Sequence, residues 1–509
     1  MRLNSSLRVM IGCLNERGET KMLSVDEIKS FIQNDAASKR KKYAREGERY
    51  YEGEHDIRKY RIFYFDADGK LQEDKTRSNI KISHPFFTEH VDQEAQYMLS
   101  GEDAIFRSDI PELQDFLDEY FNENEDFLAE LYDVVEGCIK KGFEYAYAFK
   151  KNDGSNGKTS FKCADSIGVV EVREEETEDH CKYVIYWAID RIGKDNKKIK
   201  RIQVWDEKQT WYYVQENDGQ IMQDKSQKHN PRPHVLYTKE GDENTYFEGF
   251  GFIPFFRLDN NKKQFSGLKP IKDLIDDYDI MNCGLSDNIQ DTAEALYVVK
   301  GFKGNDLDEL MTNIKAKKHI GVSENGGVEI RTIDIPYEAR QAKMELDEKN
   351  IYRFGMAFNS SQVGDGNITN IVIRSRYTLL DLKFHKLKIR LKQFLRKLLK
   401  IVLDEINTEH GTDYQQKDVY FSIEPEIPTN ELENAQIALA QAQKRQAEIN
   451  ILLDLQQQLG NEKMMELIAE QLDLDWEELK GQIPKPEEAD LYDLENIPTV
   501  PNKEGGLIE

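Results

Sequence analysis

The sequence predicts an α+β chain that is mainly helical, with one β-rich insertion at about residues 142–250. Three observations lead there. In the flanking segments apolar residues recur at steps of three and four, as on the buried face of a helix. Between 142 and 250 the period changes: "EYAYAFKK", "KYVIYWAID", "RIQVWDEKQTWYYVQEND" and "PHVLYTKEG" alternate or bunch strand-forming residues between turn signals such as Asp153-Gly154 and Asp218-Gly219. The 509 residues, 39% hydrophobic with a net charge of −25, suit a folded acidic protein of several substructures. No apolar run approaches the roughly 18 residues of a spanning helix, so no membrane association is expected. Five scattered cysteines without CxxC spacing, and nine histidines without HExxH, predict neither a disulfide framework nor a metal site. No cofactor is expected.

In chain order, residues 1–22 read as an upstream extension or a disordered segment. Arg17-Gly18-Glu19 fits a purine-rich coding run like a ribosome-binding site, which makes Met22 the expected start. Residues 23–60 read as helical, opened by a Ser24/Glu27 capping box. A hairpin turns at Asp66-Ala67-Asp68-Gly69. Phe86 to Gly101 is a helix with Phe87, Val91, Ala95 and Met98 on one face, stopped by Gly101. A helix pair covers roughly 110–141. Trp187, Trp205 and Trp211 lie in strand-like runs, where aromatics pack as core more often than they stack on bases. Ser266 should cap a helix over 266–282, with Pro270 in its first turn. A short α/β piece spans 283–335, including "EALYVVKGF" and "GGVEIRTIDIP", and a helix occupies 336–357. After a loop at 358–370 and a long helix at 371–408 come a strand and connector at 409–429. Two helices, broken at Gly460, lie within 430–483, and 484–509 is an acidic, Pro-rich tail expected to be disordered.

The motifs for chemistry fail one by one. "NDGSNGKTS" has Asn152 where a phosphate-binding GxxxxGK[ST] loop needs glycine, and it joins two strands rather than a strand and a helix. It reads as a hairpin turn, and no ATP hydrolysis is expected. Asp273, Asp276, Asp277 and Asp279 sit on one helix in "KDLIDDYDI". Their chemistry would suit Mg²⁺ in a metal-dependent nucleic-acid-processing enzyme, the alternative function. Their commoner fate is a solvated or paired helix face. No catalytic residue is assigned.

The long basic helix is the informative feature. Ten bases from Arg374 to Lys400 (Arg374, Arg376, Lys383, Lys386, Lys388, Arg390, Lys392, Arg396, Lys397 and Lys400) face one carboxylate, Asp381. Ile373, Tyr377, Leu380, Phe384, Leu387, Leu391, Leu395, Leu398 and Val402 form a continuous stripe beside them. At about 1.5 Å per residue such a helix is a strut of roughly 50 Å, with one face buried and one cationic. The loop ahead of it offers Asn359, Ser360, Ser361, Gln362, Gly364, Asp365, Gly366 and Asn367, amides and hydroxyls with one acid and no base. That suits contact with something that slides.

A collinear series of segments resembles one family. "RYYEGEHDI", "VDQEAQYMLSGE", "KKGFEYAY" and "NPRPH" precede "GFIPFFRLDNNKKQFSGLKPIKDLIDDYDIMN", with Gly251, Ile253, Pro254, Asn260, Asn261, Ser266, Leu268, Leu274, Ile275, Asp276, Tyr278 and Asp279 in a spaced pattern. "SENGGVEIRTIDIP" and "YTLLDLKFHKLKIRL" follow in the same order. From about Tyr50 to Leu403 the chain resembles the portal proteins of tailed bacteriophages, in the subgroup of long-tailed phages of Gram-positive hosts.

The resemblance implies a ring, usually of twelve copies, at one capsid vertex around a channel for double-stranded DNA bound without sequence readout. It implies a wing at 23–265, stem helices at 266–282 and 336–357, a clip at 283–335, a tunnel loop at 358–370 and a crown at 430–483. The 371–408 helix would link stem, wing and crown. Implied partners are terminase, which supplies the ATPase, the major capsid and scaffolding proteins, and a head-completion adaptor. The implied location is the virion, after assembly in the host cytoplasm. Arg374, Arg376, Lys383, Lys386 and Arg390 are the candidates to face DNA or a neighbouring subunit. The glutamine-rich crown and the residues of the loop depart from the family pattern, so only the loop's position carries over.

Overall fold

The computed structural model describes residues 22–471 except 76, 102–103, 151–156, 174–180, 239–244, 293–295, 303–309, 311–320, 332–336, 360–369, 427–430 and 456–459. The expected upstream extension, the Asp153 turn, most of the 358–370 loop and the acidic tail lie outside the described residues. Two compact units emerge: residues 1–365 with 374–427, and residues 366–373 with 428–509. The architecture is α+β, with helices flanking a β-rich middle.

In the larger unit, Ser24 Oγ accepts from Glu27 N at 3.3 Å while Glu27 Oε2 accepts from Ser24 N at 2.8 Å, which is the expected capping box. It opens α1 (Val25–Ala37). The expected 23–60 helix is broken at Ser38, whose extended backbone and Oγ, accepting from Lys41 N, start α2 (Lys39–Tyr51). The Asp66–Gly69 turn joins β1 (Phe63–Phe65) to β2 (Leu71–Glu73), antiparallel with Phe63 opposite Glu73. α3 (Phe86–Met98) buries Phe87, Val91, Ala95 and Met98 as its pattern requires. It ends three residues before Gly101. That glycine is needed elsewhere, because a Cβ there would lie 2.4 Å from Glu424 O.

β3 (Phe106–Arg107) precedes α4 (Pro111–Leu117) and α5 (Glu125–Lys141). Asn124 caps α5, and Gly142 closes it at φ 95°, a conformation glycine adopts without strain. The β-rich middle then forms. β4 (Phe143–Lys150) lies between β5 (Thr159–Ala164) and a late strand, β14 (Phe255–Asp259). β6 (Val169–Val172), β7 (Tyr183–Ile192), β8 (Lys197–Trp205), β9 (Gln209–Glu216) and β10 (Ile221–Gln223) make an antiparallel meander. β11 (Arg232–Pro233) adds to β9, and β12 (Val235–Thr238) pairs with β13 (Thr245–Glu248). Trp205 and Trp211 are buried and Trp187 is half-buried, as core residues. Ile28 and Ile32 of α1 join the same cluster as Trp211.

α6 (Lys272–Thr292) starts six residues after Ser266, the expected cap, and continues ten residues past 282. Ser266 Oγ instead donates to Lys140 O at 2.6 Å and accepts from Leu268 N at 3.1 Å, so it pins a turn to α5. β15 (Leu296–Phe302) pairs antiparallel with β16 (Val322–Arg331). α7 (Tyr337–Gly355) and α8 (Asn370–His410) follow. β17 (Tyr420–Phe421), much shorter than "VYFSIEPEIP", pairs with β3. The main core collects Phe87, Leu131, Ile275, Ile351 and the buried stripe of α8.

In the smaller unit, α9 (Glu431–Asp454) is exposed along the part whose side chains are described except at Glu448, Ile449 and Leu452, which are half-buried. α10 (Asn461–Gln471) begins after Gly460, at φ 77°, where the break was expected.

A Cβ on Gly47 would meet Lys140 O at 1.9 Å and Ser266 Oγ at 2.6 Å. Gly47→Ala should therefore cost about 1–3 kcal/mol by forcing α2 off α5, measured as a lower urea midpoint. An unchanged midpoint would show that the contact relaxes freely.

Candidate functional site

No glycine or proline interrupts residues 370–410, and the apolar stripe is buried from Leu380 onward, with Ile373 and Tyr377 half-buried. Leu380, Phe384, Leu387, Leu391, Leu395, Leu398 and Val402 are all at most 2% exposed. The bases divide into two groups. Lys383 Nζ lies 2.7 Å from Glu94 Oε2, and Lys388 Nζ 2.7 Å from Glu424 Oε1. Partial burial, then the neighbouring Lys388, pushes the Lys392 ammonium below its ordinary range. Arg374, Lys386, Arg396, Lys397 and Lys400 are exposed, Arg390 is half-buried, and none has an ion pair among the described residues. The side chain of Arg376 lies outside the described residues. Asp381, the helix's one acid among the bases, accepts from Tyr97 OH.

The approach to the loop is held by α3. Gln93 Nε2 donates to Phe358 O at 2.8 Å, and Gln93 Oε1 accepts from Phe358 N at 3.0 Å. The Phe358 ring stacks on Tyr377, 5.1 Å between centroids. Tyr352 OH donates to Glu89 Oε2 at 2.5 Å. Asn359 Nδ2 donates to Glu348 Oε1 at 3.0 Å. The other loop candidates, Ser360, Ser361, Gln362, Gly364, Asp365, Gly366 and Asn367, lie outside the described residues. A Cβ on Gly355 would come within 2.3 Å of the His90 ring, so the end of α7 requires glycine there.

His90 and Glu94 stand one turn apart on α3, 2% and 1% exposed. The 2.7 Å approach of Lys383 to Glu94 falls outside hydrogen-bond geometry and is an attraction of charges. Both His90 nitrogens are buried without a hydrogen-bond partner. Burial, then the Lys383 charge, lowers the imidazole to about 3.

Of the four aspartates that suggested a metal, Asp273 is exposed and the other three are engaged otherwise. Asp276 accepts from Tyr50 OH and from Lys272 Nζ, and Asp277 from Lys343 Nζ. Asp279 is fully buried and takes three donors: His55 Nδ1 at 2.7 Å, His84 Nδ1 at 2.7 Å and His84 N at 3.0 Å. Burial would raise its carboxyl, but the hydrogen bonds of His55 and His84 outweigh that and hold it below the usual range.

Asp279 also begins a ladder that sequence reasoning missed. Backbone N–H groups of His84, Ile82, Ile80 and Ser78 bond in turn to Asp279, Cys283 Sγ (3.2 Å), Asp287 (2.7 Å) and Asp291 (3.2 Å). Two residues of extended chain span about 6.6 Å and four residues of helix about 6.0 Å, so the two rails stay in step. The available signal was the four-residue spacing of acceptors on α6 beside an extended segment without regular pattern.

The sequence matches the family described as "Phage portal protein, SPP1 Gp6-like" over residues 31–475. It is 31% identical over 353 residues to the portal protein of Bacillus phage SPP1, covering 69% of this chain and 67% of that one. It is 29% identical over 194 residues to the portal protein of Clostridium phage phiCD119, covering 37% of this chain and 42% of the relative's length. A solved structure titled "Neck of native GTA particle computed with C12 symmetry" aligns with a TM-score of 0.35 at 12% identity, over 70% of this chain and 84% of that one. That likeness is too distant to argue from.

The unfolded chain protonates His90 near 6.5 whereas the folded chain resists until about 3, so stability should fall as pH drops through that window. At pH 5 the His90 share is about 2 kcal/mol. Urea unfolding of His90→Gln should lose correspondingly less between pH 7 and pH 5, and an equal loss would rule out His90 as the source. Asp287→Ala should speed amide exchange at Ile80 about tenfold, for roughly 1–2 kcal/mol of lost hydrogen bond. Unchanged protection would show that the ladder contributes nothing there.

Proposed function

Because the chain belongs to the SPP1 Gp6-like family of phage portal proteins, we propose that its copies close into a ring of twelve at one capsid vertex. The ring encloses a channel through which double-stranded DNA is packaged and later ejected. The observation that carries this is the length of the family match, residues 31–475, which takes in every part named here except the ends. Portal proteins are structural components of the virion, and this chain is assigned neither catalytic residue nor cofactor. Terminase supplies ATP-driven force and docks on the ring, a head-completion adaptor replaces it, and the capsid and scaffolding proteins surround it.

Under this proposal residues 266–282, which take in the first half of α6, and 336–357, which take in α7, are the stem, and residues 283–335, with the β15–β16 pair, are the clip. Residues 23–265 are the wing, 358–370 the tunnel loop and 430–483 the crown. Twelve copies at −25 sum to about −300, a field that repels DNA. In a conduit that repulsion is useful, since tight phosphate binding would hold the duplex in place. The bases of α8 that have no ion pair among the described residues then serve mainly to meet acidic faces of neighbours, while Arg374 and Arg376, beside the loop, tune the channel. Lys383 leaves this set, because Glu94 already takes its charge.

Size-exclusion chromatography with light scattering should give a mass of several hundred kilodaltons, and electron images should show a central hole. Lys386→Glu with Arg390→Glu should lower assembly at least tenfold in concentration while leaving the urea midpoint of the protomer unchanged. Rings that form normally but package poorly would move these bases from the subunit boundary to the channel.

A further inference from the structure

α8 carries a second stripe on the side turned away from its core. From Leu379, steps of three and four run through Leu382, Lys386, Ile389, Gln393 and Arg396 to Lys400, and every residue of that series is exposed. Such spacing keeps side chains on one side of a helix, as in the seam between two packed helices. Leu382 is 51% and Ile389 64% exposed, so each leaves half or more of its area in water. Lys386, Arg396 and Lys400 have no ion pair among the described residues. Two apolar groups flanking a base, with further bases toward the margin, is the composition of a protein contact rather than of a phosphate grip.

The same protomer holds the opposite kind of surface. Between Ser108 and Ile139 stand eleven acids and no base. Asp109, Asp115, Glu123, Glu125 and Asp133 among them are exposed and have no ion pair among the described residues. Glu125, Ala129 and Asp133 form the outward ridge of α5, and Asp133 lies too far from the first turn for the helix dipole to account for it. Along one flank of the ridge runs a groove of about 580 Å³, lined by Leu99, Ile105, Leu128, Tyr132 and Ile423, with Glu123 at its edge.

The two surfaces face different ways. Phe394 and Leu398 of α8 line the same small interior gap as Phe127, Leu131 and Val134 of α5, so the helices pack through one core. The α8 stripe and the α5 ridge each lie on the far side of their helix from those contacts. Head-to-tail closure of identical chains requires such a pair, unlike and complementary, on one molecule.

We propose that the outward stripe of α8 in one protomer packs along the α5 ridge of the next. Leu382 and Ile389 enter the groove beside Leu128 and Tyr132, while Lys386, Arg396 and Lys400 meet Glu123, Glu125 and Asp133. This rests on the ring reading and names the acidic face that the α8 bases would meet.

Lys386→Glu with Arg396→Glu, and separately Glu125→Lys with Asp133→Lys, should each raise the concentration needed for assembly about tenfold. All four substitutions together should return it to within about threefold of the unaltered protein, because opposite charges then face each other again. A quadruple variant that does not recover, or an acid pair whose reversal changes nothing, overturns the contact. In parallel, Ile389 is replaced by the photoreactive p-benzoylphenylalanine, and light and heavy-isotope copies are mixed before assembly and irradiated. Light-to-heavy crosslinks from position 389 to α5 or to the groove are expected. Crosslinks confined to one copy, or running between copies to another element, overturn the contact, and the ring reading stands if the unaltered protein still forms rings. An unaltered protein that stays monomeric across salt and concentration defeats both. Should a reversed variant fail to fold, seen as a lowered urea midpoint, the crosslink decides alone.

Discussion

Burying a carboxylate is costly unless donors or a counter-charge replace its water, and Asp279 is fully buried. Its three donors come from two places, the end of the α2 region through His55 and the strap through His84. One side chain on α6 thereby fixes three pieces of chain at a common point. From that point the strap runs one way along α6 through Cys283, Asp287 and Asp291. Toward the other end of the helix, Asp276 holds Tyr50 and Lys272. The acidity of α6 is thus largely structural: Asp273 apart, its carboxylates accept from backbone or side-chain donors.

Much of this fold was legible because it is periodic. The steps of three and four in α3 and α8, the alternation from 142 onward and the Ser24 capping box each state a local rule, and the structure follows them. What the sequence hid is contact between distant segments. Gly101 reads as a helix stop and is instead a close approach to Glu424. Ser266 reads as a helix cap and instead ties a turn to Lys140. Both residues have a local meaning that explains their identity well enough, so nothing in the neighbouring letters signals the distant partner.

The same limit governs the candidate site. That α8 carries ten bases and a buried stripe was plain from spacing. Which bases remain available was not, because Glu94 and Glu424 reach Lys383 and Lys388 from other elements. The internal pairs lie beside the stripe, where a long ammonium stem can cover apolar surface while its head finds a carboxylate. Charges that need no such stem, Lys386 and Lys397 among them, point away from the core.

These features bear on how an acidic chain can assemble with copies of itself. Repulsion between bodies of like charge is long-ranged and falls with salt, whereas apolar contact is short-ranged and does not. A subunit of net charge −25 that closes into a ring must therefore concentrate its attraction in a few surfaces of local positive charge or exposed apolar area. The chain has such a surface in the outward face of α8, where Leu382 and Ile389 stand among exposed bases. That face is not needed to stabilise the protomer, because the buried α8 stripe is complete without it. Groups so poorly used within one molecule gain a physical reason to exist when a second copy supplies the missing half of the contact.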